Sequence, residues 1–335
     1  MPSLKKFYDT KTKTLTIPYY FEKELKNIPD DLQIIIFDEY ITLSKFNQKI
    51  DNLPNNITSL IFGSSFNQKV DKLPKNLTSL IFGIYFNQKV DNLPKNINNL
   101  IFGINFNKEV NNLPKNLTQL VFGNWFDQKV DKLPKNITHL IFGNYFNQKV
   151  DNLPLKLIHL TFNNNFNKKL DKLPQSITYL IFGDIFNQKV DNLPNSLIFN
   201  LTHLTFGDNF NQKVDNLPQS ITHLIFGFNF NQKVDNLPQS ITHLKFGYNF
   251  NQSVDKLPQN ITLLIFGVSF NQKVDNLPQT ITHLKFSDDY NQKIDHLPMI
   301  LRHLHINISY KNLLKIPFGC KVKYYEKIET KNIFL

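Results

Sequence analysis

The same twenty-residue phrase recurs along nearly the whole chain, and that period decides what the chain can fold into. Counted from the aromatic residue that precedes an asparagine, units begin at Phe46, Phe66, Phe86, Phe106, Phe126, Phe146, Phe166 and Phe186. They continue at Phe210, Phe230, Phe250, Phe270 and Tyr290. The single step of 24 residues reflects four extra residues, Leu197 to Asn200, in the unit that starts at Phe186. A degenerate unit starts at Phe21, where Ile28-Pro29 and Leu32 to Phe37 hold the same columns before a five-residue insertion, and Tyr310 opens a truncated last unit. Twenty residues cannot enclose a core alone, so each unit must bury its apolar positions against the units before and after it. The expected organisation is an N-terminal cap over 1–20, a degenerate first repeat over 21–45, repeats over 46–309, and a truncated repeat with a C-terminal cap over 310–335.

Each scarce residue type has one post in the unit. Of 31 Phe, 13 lie in the first column (Phe21 to Phe270) and 13 in the column of Phe37, Phe62 and Phe82. Of 17 Pro, 14 share the column of Pro54 and Pro74, and ten of 11 Gly share that of Gly63. The segment Thr78 to Phe82, bounded by Pro74 and Gly83, has the length and bulky apolar content of a strand. One such strand per coil stacks into a parallel sheet at ~4.8 Å between neighbours. Leu80 and Phe82 then share the inward face, with Leu77, Phe86, Val90 and Leu93 completing the core. The Gly column is expected to supply a positive φ after the strand, replaced by Asp38, Asn163 and Ser287 where it fails. Proline is incompatible with a helix interior or a central strand, so the return path is expected to be extended or irregular. The Asn column of Asn47, Asn67 and Asn87 is placed to bond turn backbone or form a ladder up the stack.

Composition removes several alternatives. Alanine is absent and arginine occurs once, at Arg302, which excludes a helical bundle or an ordinary α/β enzyme. A hydrophobic fraction of 41% excludes disorder. The net charge is +11, but 37 of the 38 cations are Lys, interleaved with acids as in Lys69 and Asp71 or Lys89 and Asp91. That pattern reads as a solvated outer face, and with one Arg for bidentate readout no nucleic-acid partner is expected. Cys320 is the only cysteine, so no disulfide or CxxC zinc site is expected. Met1 to Tyr20 lacks an apolar signal core and no apolar run approaches the ~20 residues of a membrane span. A soluble, intracellular (cytoplasmic), monomeric protein without a membrane partner is therefore expected. No P-loop, GxGxxG, GxSxG or HExxH occurs, so neither enzymatic activity nor a cofactor is expected. The Asn-x-Thr/Ser triplets at Asn56, Asn76, Asn116, Asn136, Asn200, Asn260 and Asn307 read as products of the repeat.

The unit FNQKVDNLPxxITHLxFGxx, seen in Phe210-Asn211-Gln212, Leu217-Pro218 and Ile221-Thr222-His223-Leu224, resembles the FNIP repeat family, which is grouped with the leucine-rich repeats. The resemblance is strong over about 46–309 and weaker over 21–45. It implies a mainly β, leucine-rich-repeat-like solenoid of 20-residue coils with one parallel sheet, used for protein interaction. Many members carry an F-box before the repeats, and Ile28-Pro29-Asp30-Asp31-Leu32 is similar to an F-box opening. An F-box needs a longer run of small helices, whereas this segment keeps repeat register from Phe21. A ubiquitin-ligase substrate-recognition subunit and a purely structural component of a larger assembly are the competing readings.

Recognition in a solenoid belongs to the outward columns that vary from coil to coil. One such column runs Ser59, Ser79, Asn99, Gln119, His139, His159, Tyr179, His203, His223, His243, Leu263, His283, His303. A second includes Ile61, Ile101, Ile141, Ile181, Thr205, Ile225, Lys245 and Lys285. Both flank the buried strand Leu and should point to the open face of the sheet. Two more columns follow the Gly and include Ile84, Tyr85, Trp125, Tyr145, Asp184, Asp208, Phe228, Tyr248 and Asp288. An isoleucine row in water exceeds stray apolar exposure, and aromatic and aliphatic groups on a rigid sheet suit a protein partner. The candidate partner-binding residues are Ile101, Trp125, His139, Ile141, Tyr145, His159, Ile181, His203, His223, Ile225, Phe228, His243 and Tyr248. No metal is expected on the His row, because no Cys or constant carboxylate adjoins it and Tyr179 and Leu263 interrupt it. Closely stacked imidazoles should instead resist joint protonation.

Overall fold

In the computed structural model the described residues are 4–38, 43–190, 193, 200–287, 289–311 and 313–325. They form two compact units, residues 1–168 with 172–177 and residues 169–171 with 178–335. In the first, β1 (Tyr8–Asp9) lies antiparallel to β2 (Thr14–Ile17), which pairs in parallel with β3 (Ile34–Phe37). Three-residue strands follow at the repeat interval: β4 (Ser59–Ile61), β5 (Ser79–Ile81), β6 (Asn99–Ile101), β7 (Gln119–Val121), β8 (His139–Ile141) and β9 (His159–Thr161). The second unit holds β10 (Tyr179–Ile181), β11 (His203–Thr205), β12 (His223–Ile225), β13 (His243–Lys245), β14 (Leu263–Ile265), β15 (His283–Lys285), β16 (His303–Asn307) and β17 (Lys321–Tyr325). Within each unit consecutive strands from β2 on are parallel and like residues face like, Leu60 opposite Leu80 and Leu204 opposite Leu224. Each unit is thus a parallel β-solenoid. Among the described residues the helical turns are 3-10, at Leu4–Phe7 and Ile308–Tyr310, and no helix is long and apolar enough to cross a membrane.

The core follows from alternation and one tight turn. The middle residue of each short strand points inward, so Leu80 is buried while Ser79 and Ile81 stay partly open to solvent. Just past the strand, Phe86 N donates to Gly83 O at 3.3 Å. This turn folds Phe86 back over Phe82, with ring centroids 3.6 Å apart and planes within 8°. The same rings meet those of the next coil at 5.7 and 6.1 Å. Two files of near-parallel phenylalanines therefore run through each unit, each ring pair between coils adding about 0.5–1.5 kcal/mol beyond its burial.

The glycine column answers to contact between coils and not to backbone handedness. Among the described residues Gly319 alone of the glycines has a positive φ, +76°. A Cβ built on Gly103 would fall on the carbonyl of Gly83, and one on Gly123 on the carbonyl of Gly103. The coils approach so closely because their turns are themselves hydrogen-bonded in register, Tyr85 N to Ser64 O at 2.9 Å and Trp125 N to Ile104 O at 3.0 Å. At two of the column's replacements the side chain bonds backbone: Asn163 Nδ2 donates to Phe142 O at 2.8 Å and Ser287 Oγ to Phe270 O at 2.7 Å.

The return path is extended and punctuated by turns. Leu77 N donates to Pro74 O at 3.2 Å, a turn that brings Leu77 inward to full burial. The F-box-like stretch Ile28 to Leu32 makes the same turn, Leu32 N to Pro29 O at 3.2 Å, with Leu32 fully buried. No helix occurs among the described residues of 21–45. The expected Asn ladder is present: Asn67 Oδ1 accepts from Asn87 N (2.9 Å) and Gln88 Nε2 (3.0 Å). Asp127 substitutes isosterically, accepting from Asn147 N and Gln148 Nε2. A second polar file sits two residues after the proline, where Asn96 Nδ2, Asn136 Nδ2 and Ser176 Oγ donate to carbonyls of the coil before. The Asp file meets its like-charge problem with amides as well as cations. Asn92 Nδ2 donates to Asp71 at 3.0 Å, and Lys72 lies 3.9 Å from Asp51. Residues 197–199 of the insertion, Asp288, and 326–335 of the expected C-terminal cap lie outside the described residues.

Two outcomes follow for stability. Gly123→Ala must push neighbouring coils apart and is expected to cost about 2–3 kcal/mol, against about 1 kcal/mol for Gly319→Ala, whose Cβ meets open space and whose penalty is its φ alone. Guanidinium unfolding of both variants ranks them. Tyr290 sits in a phenylalanine file with its hydroxyl buried and unpartnered among the described residues, and burial pushes its pKa up. Tyr290→Phe is expected to stabilise by about 1 kcal/mol, read as a rise in Tm.

Candidate partner-binding face

Because the strand Leu points inward, the residues on either side of it turn to the open face of the sheet. In the first unit this places Ile101, Val121 and Ile141 on successive rungs of one row. His139 and His159 occupy the other, rings stacked 4.4 Å apart. Beside the sheet, on the turns after the glycines, Trp125 stacks on Tyr145 at 4.2 Å with planes within 5°. Trp125 is 50% exposed although it is among the largest apolar groups of the unit.

The second unit repeats the arrangement with different chemistry. His203, His223 and His243 stack at 4.1 and 4.2 Å. Tyr179 does not interrupt this stack: its ring lies 4.1 Å from that of His203 and extends it. Leu263 does interrupt it, standing in register between His243 and His283. Phe228 and Tyr248 stack at 4.6 Å on the neighbouring turns. Ile181 and Ile225 flank Thr205 on one row, which continues into Lys245. The structure therefore brings the thirteen expected residues together as two sets, six on the first unit and seven on the second.

Where a threonine precedes the histidine, it organises the ring. Thr222 Oγ1 lies 2.9 Å from His223 Nδ1 and 3.2 Å from Thr202 O, and Thr138, Thr202, Thr242 and Thr282 do the same on their own rungs. The Thr-His pair is thus a device that ties the imidazole to the preceding coil, which a reading of Thr-His as two exposed polar residues misses. Burial holds His203 and His223 below the ordinary imidazole pKa, and the positive charge of neighbouring imidazoles adds to it. Nearly parallel rings do not converge on a shared point, and among the described residues no three His, Cys, Asp or Glu side chains are arranged to hold a metal ion.

Residues of the outward columns that the candidate set left out lie on β15–β17, where pairing extends them by one rung: His283 faces His303 and then Lys321, while Lys285 faces His305 and then Lys323. The signal was the replacement of Ile by Lys in the second column. Clefts on the return side of the first unit are lined by the Leu-Pro column with its Asn and Lys neighbours. These recur almost unchanged in every coil and distinguish no position.

The FNIP Repeat family profile matches residues 46–85, 69–103, 86–124, 126–165, 166–199, 200–229, 213–249, 228–256, 250–289 and 270–298. No curated protein matches the chain. Among solved structures the chain is similar to CroV588, described as a novel circular LRR protein, at 31% identity over 94% of this chain and 69% of that one, with a TM-score of 0.43. It is also similar to YopM from Yersinia enterocolitica WA-314, at 19% identity over 90% of this chain and 66% of that one, with a TM-score of 0.61. YopM of Yersinia pestis, a leucine-rich effector protein, matches at 20% identity over 96% of this chain and 85% of that one, with a TM-score of 0.56. The chain spans just under two thirds of the Y. enterocolitica YopM chain. The YopM likeness establishes a leucine-rich-repeat-like fold.

The depressed imidazoles fix the sign of a pH effect. A group whose pKa is lower folded than unfolded binds fewer protons in the native state, so stability is highest above the unfolded value near 6.5 and falls as pH drops through it. His203, His223, His283 and His305 all shift this way. Tm is expected to be lower at pH 5 than at pH 8, with the difference reduced in His203→Gln/His223→Gln. A Tm independent of pH over that range contradicts it.

Proposed function

The chain belongs to the FNIP repeat family, and from that premise we propose that it is a non-enzymatic scaffold, monomeric, that binds a protein partner through the open face of its sheet. In this reading residues 1–20 and 310–335 cap the coils, and 46–309 carry the recognition surface. The observation that carries it is the confinement of variation. Positions that pack coil on coil are nearly identical from unit to unit, while the outward rows change and leave Ile141, Ile181 and Ile225 between 38% and 41% exposed. Isolated surface isoleucines mean little, but rows of them beside stacked, exposed aromatic pairs have the composition of an interface core. The leucine-rich-repeat-like fold supports the same reading, since a rigid sheet orders its partner-facing side chains before binding and lowers the entropic cost.

The test is affinity capture from the source cell followed by mass spectrometry, with wild type and an Ile141→Lys/Ile181→Lys/Ile225→Lys variant whose Tm matches it. Specific partners are expected to be lost from the variant. Retention of every partner overturns the assignment of this face.

A further inference from the structure

Basic residues fill both outward rows of β13, at His243 and Lys245, and after the apolar rung of β14 they fill both rows of β15, β16 and β17. Their inward residues are Leu284, Leu304 and Val322. Their outward ones are His283, His303 and Lys321 in one row, and Lys285, His305 and Lys323 in the next. Neighbours in a row stand ~4.8 Å apart, and the two rows are separated by ~6.6 Å along the strands. Arg302, the chain's one arginine, immediately precedes β16. Elsewhere on the molecule lysines alternate with acids, as Lys293 does with Asp295 at 2.6 Å. Here no outward position of β13 to β17 holds a carboxylate, and the nearest described acid in sequence is Asp289, on the turn after β15. The field is felt within the patch. After burial, Lys323, Lys285 and His303 depress the pKa of His305, and His303 and Arg302 that of His283.

Beside these rungs opens a cleft of about 500 Å³, which Arg302, His303 and Lys321 share with Met299, Ile300 and Phe318. Phe318 is fully exposed and Met299 is 81% exposed. Among the described residues, cations that form no ion pair thus adjoin large exposed apolar side chains.

We propose that this end of the open face docks an acidic protein segment that carries a bulky apolar residue beside its carboxylates. The inference rests on the open face being a recognition surface and names the chemistry of what one part of it recognises. Carboxylates on alternate residues of an extended segment lie ~6.6 Å apart, matching the separation of the two rows. A polynucleotide fits less well. One arginine supplies no bidentate array for phosphates or base edges.

The experiment is fluorescence polarisation with the full chain and a labelled decapeptide of glutamates around one central phenylalanine. Controls are the lysine counterpart and an oligothymidylate of equal length. The glutamate peptide is expected to bind at low salt and to weaken as NaCl rises to about 0.3 M. Binding is expected to drop about tenfold or more in Lys285→Glu/Lys323→Glu and severalfold in Phe318→Ser, all at exposed positions and all checked for an unchanged Tm. The proposal is overturned if the peptide does not bind, if charge reversal leaves its affinity unchanged, or if the oligothymidylate binds more tightly. It is also overturned if the wild type sediments as a dimer that the double variant abolishes, since a second copy is then the occupant. Loss of captured partners in the isoleucine variant with indifference to the peptide sinks this inference alone. Peptide discrimination with partners indifferent to the isoleucines sinks only the wider reading.

Discussion

A carbonyl oxygen seated where the next coil has no Cβ is the contact on which the rest of the structure depends. The Gly83–Gly103–Gly123 file lets successive turns approach to hydrogen-bonding distance, and that approach fixes the rise per coil. Everything else inherits it. The phenylalanine rings stack coil on coil with centroids about 6 Å apart, and the Asn carboxamide oxygen meets the amide of the next coil.

Identical rungs solve one problem and create another. Stacking like on like aligns the polar groups of Asn67, Asn87 and their equivalents so that each buried or half-buried backbone donor is met, as low-dielectric packing demands. The same rule stacks aspartate on aspartate. The amides of Asn92, Asn112 and Asn236 answer those carboxylates from the neighbouring coil, which tolerates the repetition without relying on exposed ion pairs of small worth.

The period, the strand positions and the inward files were all legible in the sequence, because burial and turn chemistry act on single columns. The reason for the glycines was not. A Gly after a strand looks the same whether it is needed for φ or for space, and only the position of the preceding coil tells them apart. The outward rows were legible for the same reason as the core, by alternation about Leu80 or Leu224. Tyr179 breaks the row as a series of imidazoles, yet its ring continues the stack on His203, a continuity that residue class alone does not reveal. The cationic rungs at Lys321 and Lys323 escaped because they lie in a strand beyond the last regular repeat, where column counting ends and pairing with β16 has to be seen.

The direction of the hydrogen bonds has a mechanical consequence. In each unit the coil-to-coil backbone bonds, such as Thr78 N to Thr58 O, run along the stacking direction, so tension applied in that direction loads them end-on and one coil at a time. Such a body yields like a spring that unzips from its weakest turn, whereas a sideways load is shared among all the turns it crosses. A ligand spanning several coils would act as a splint.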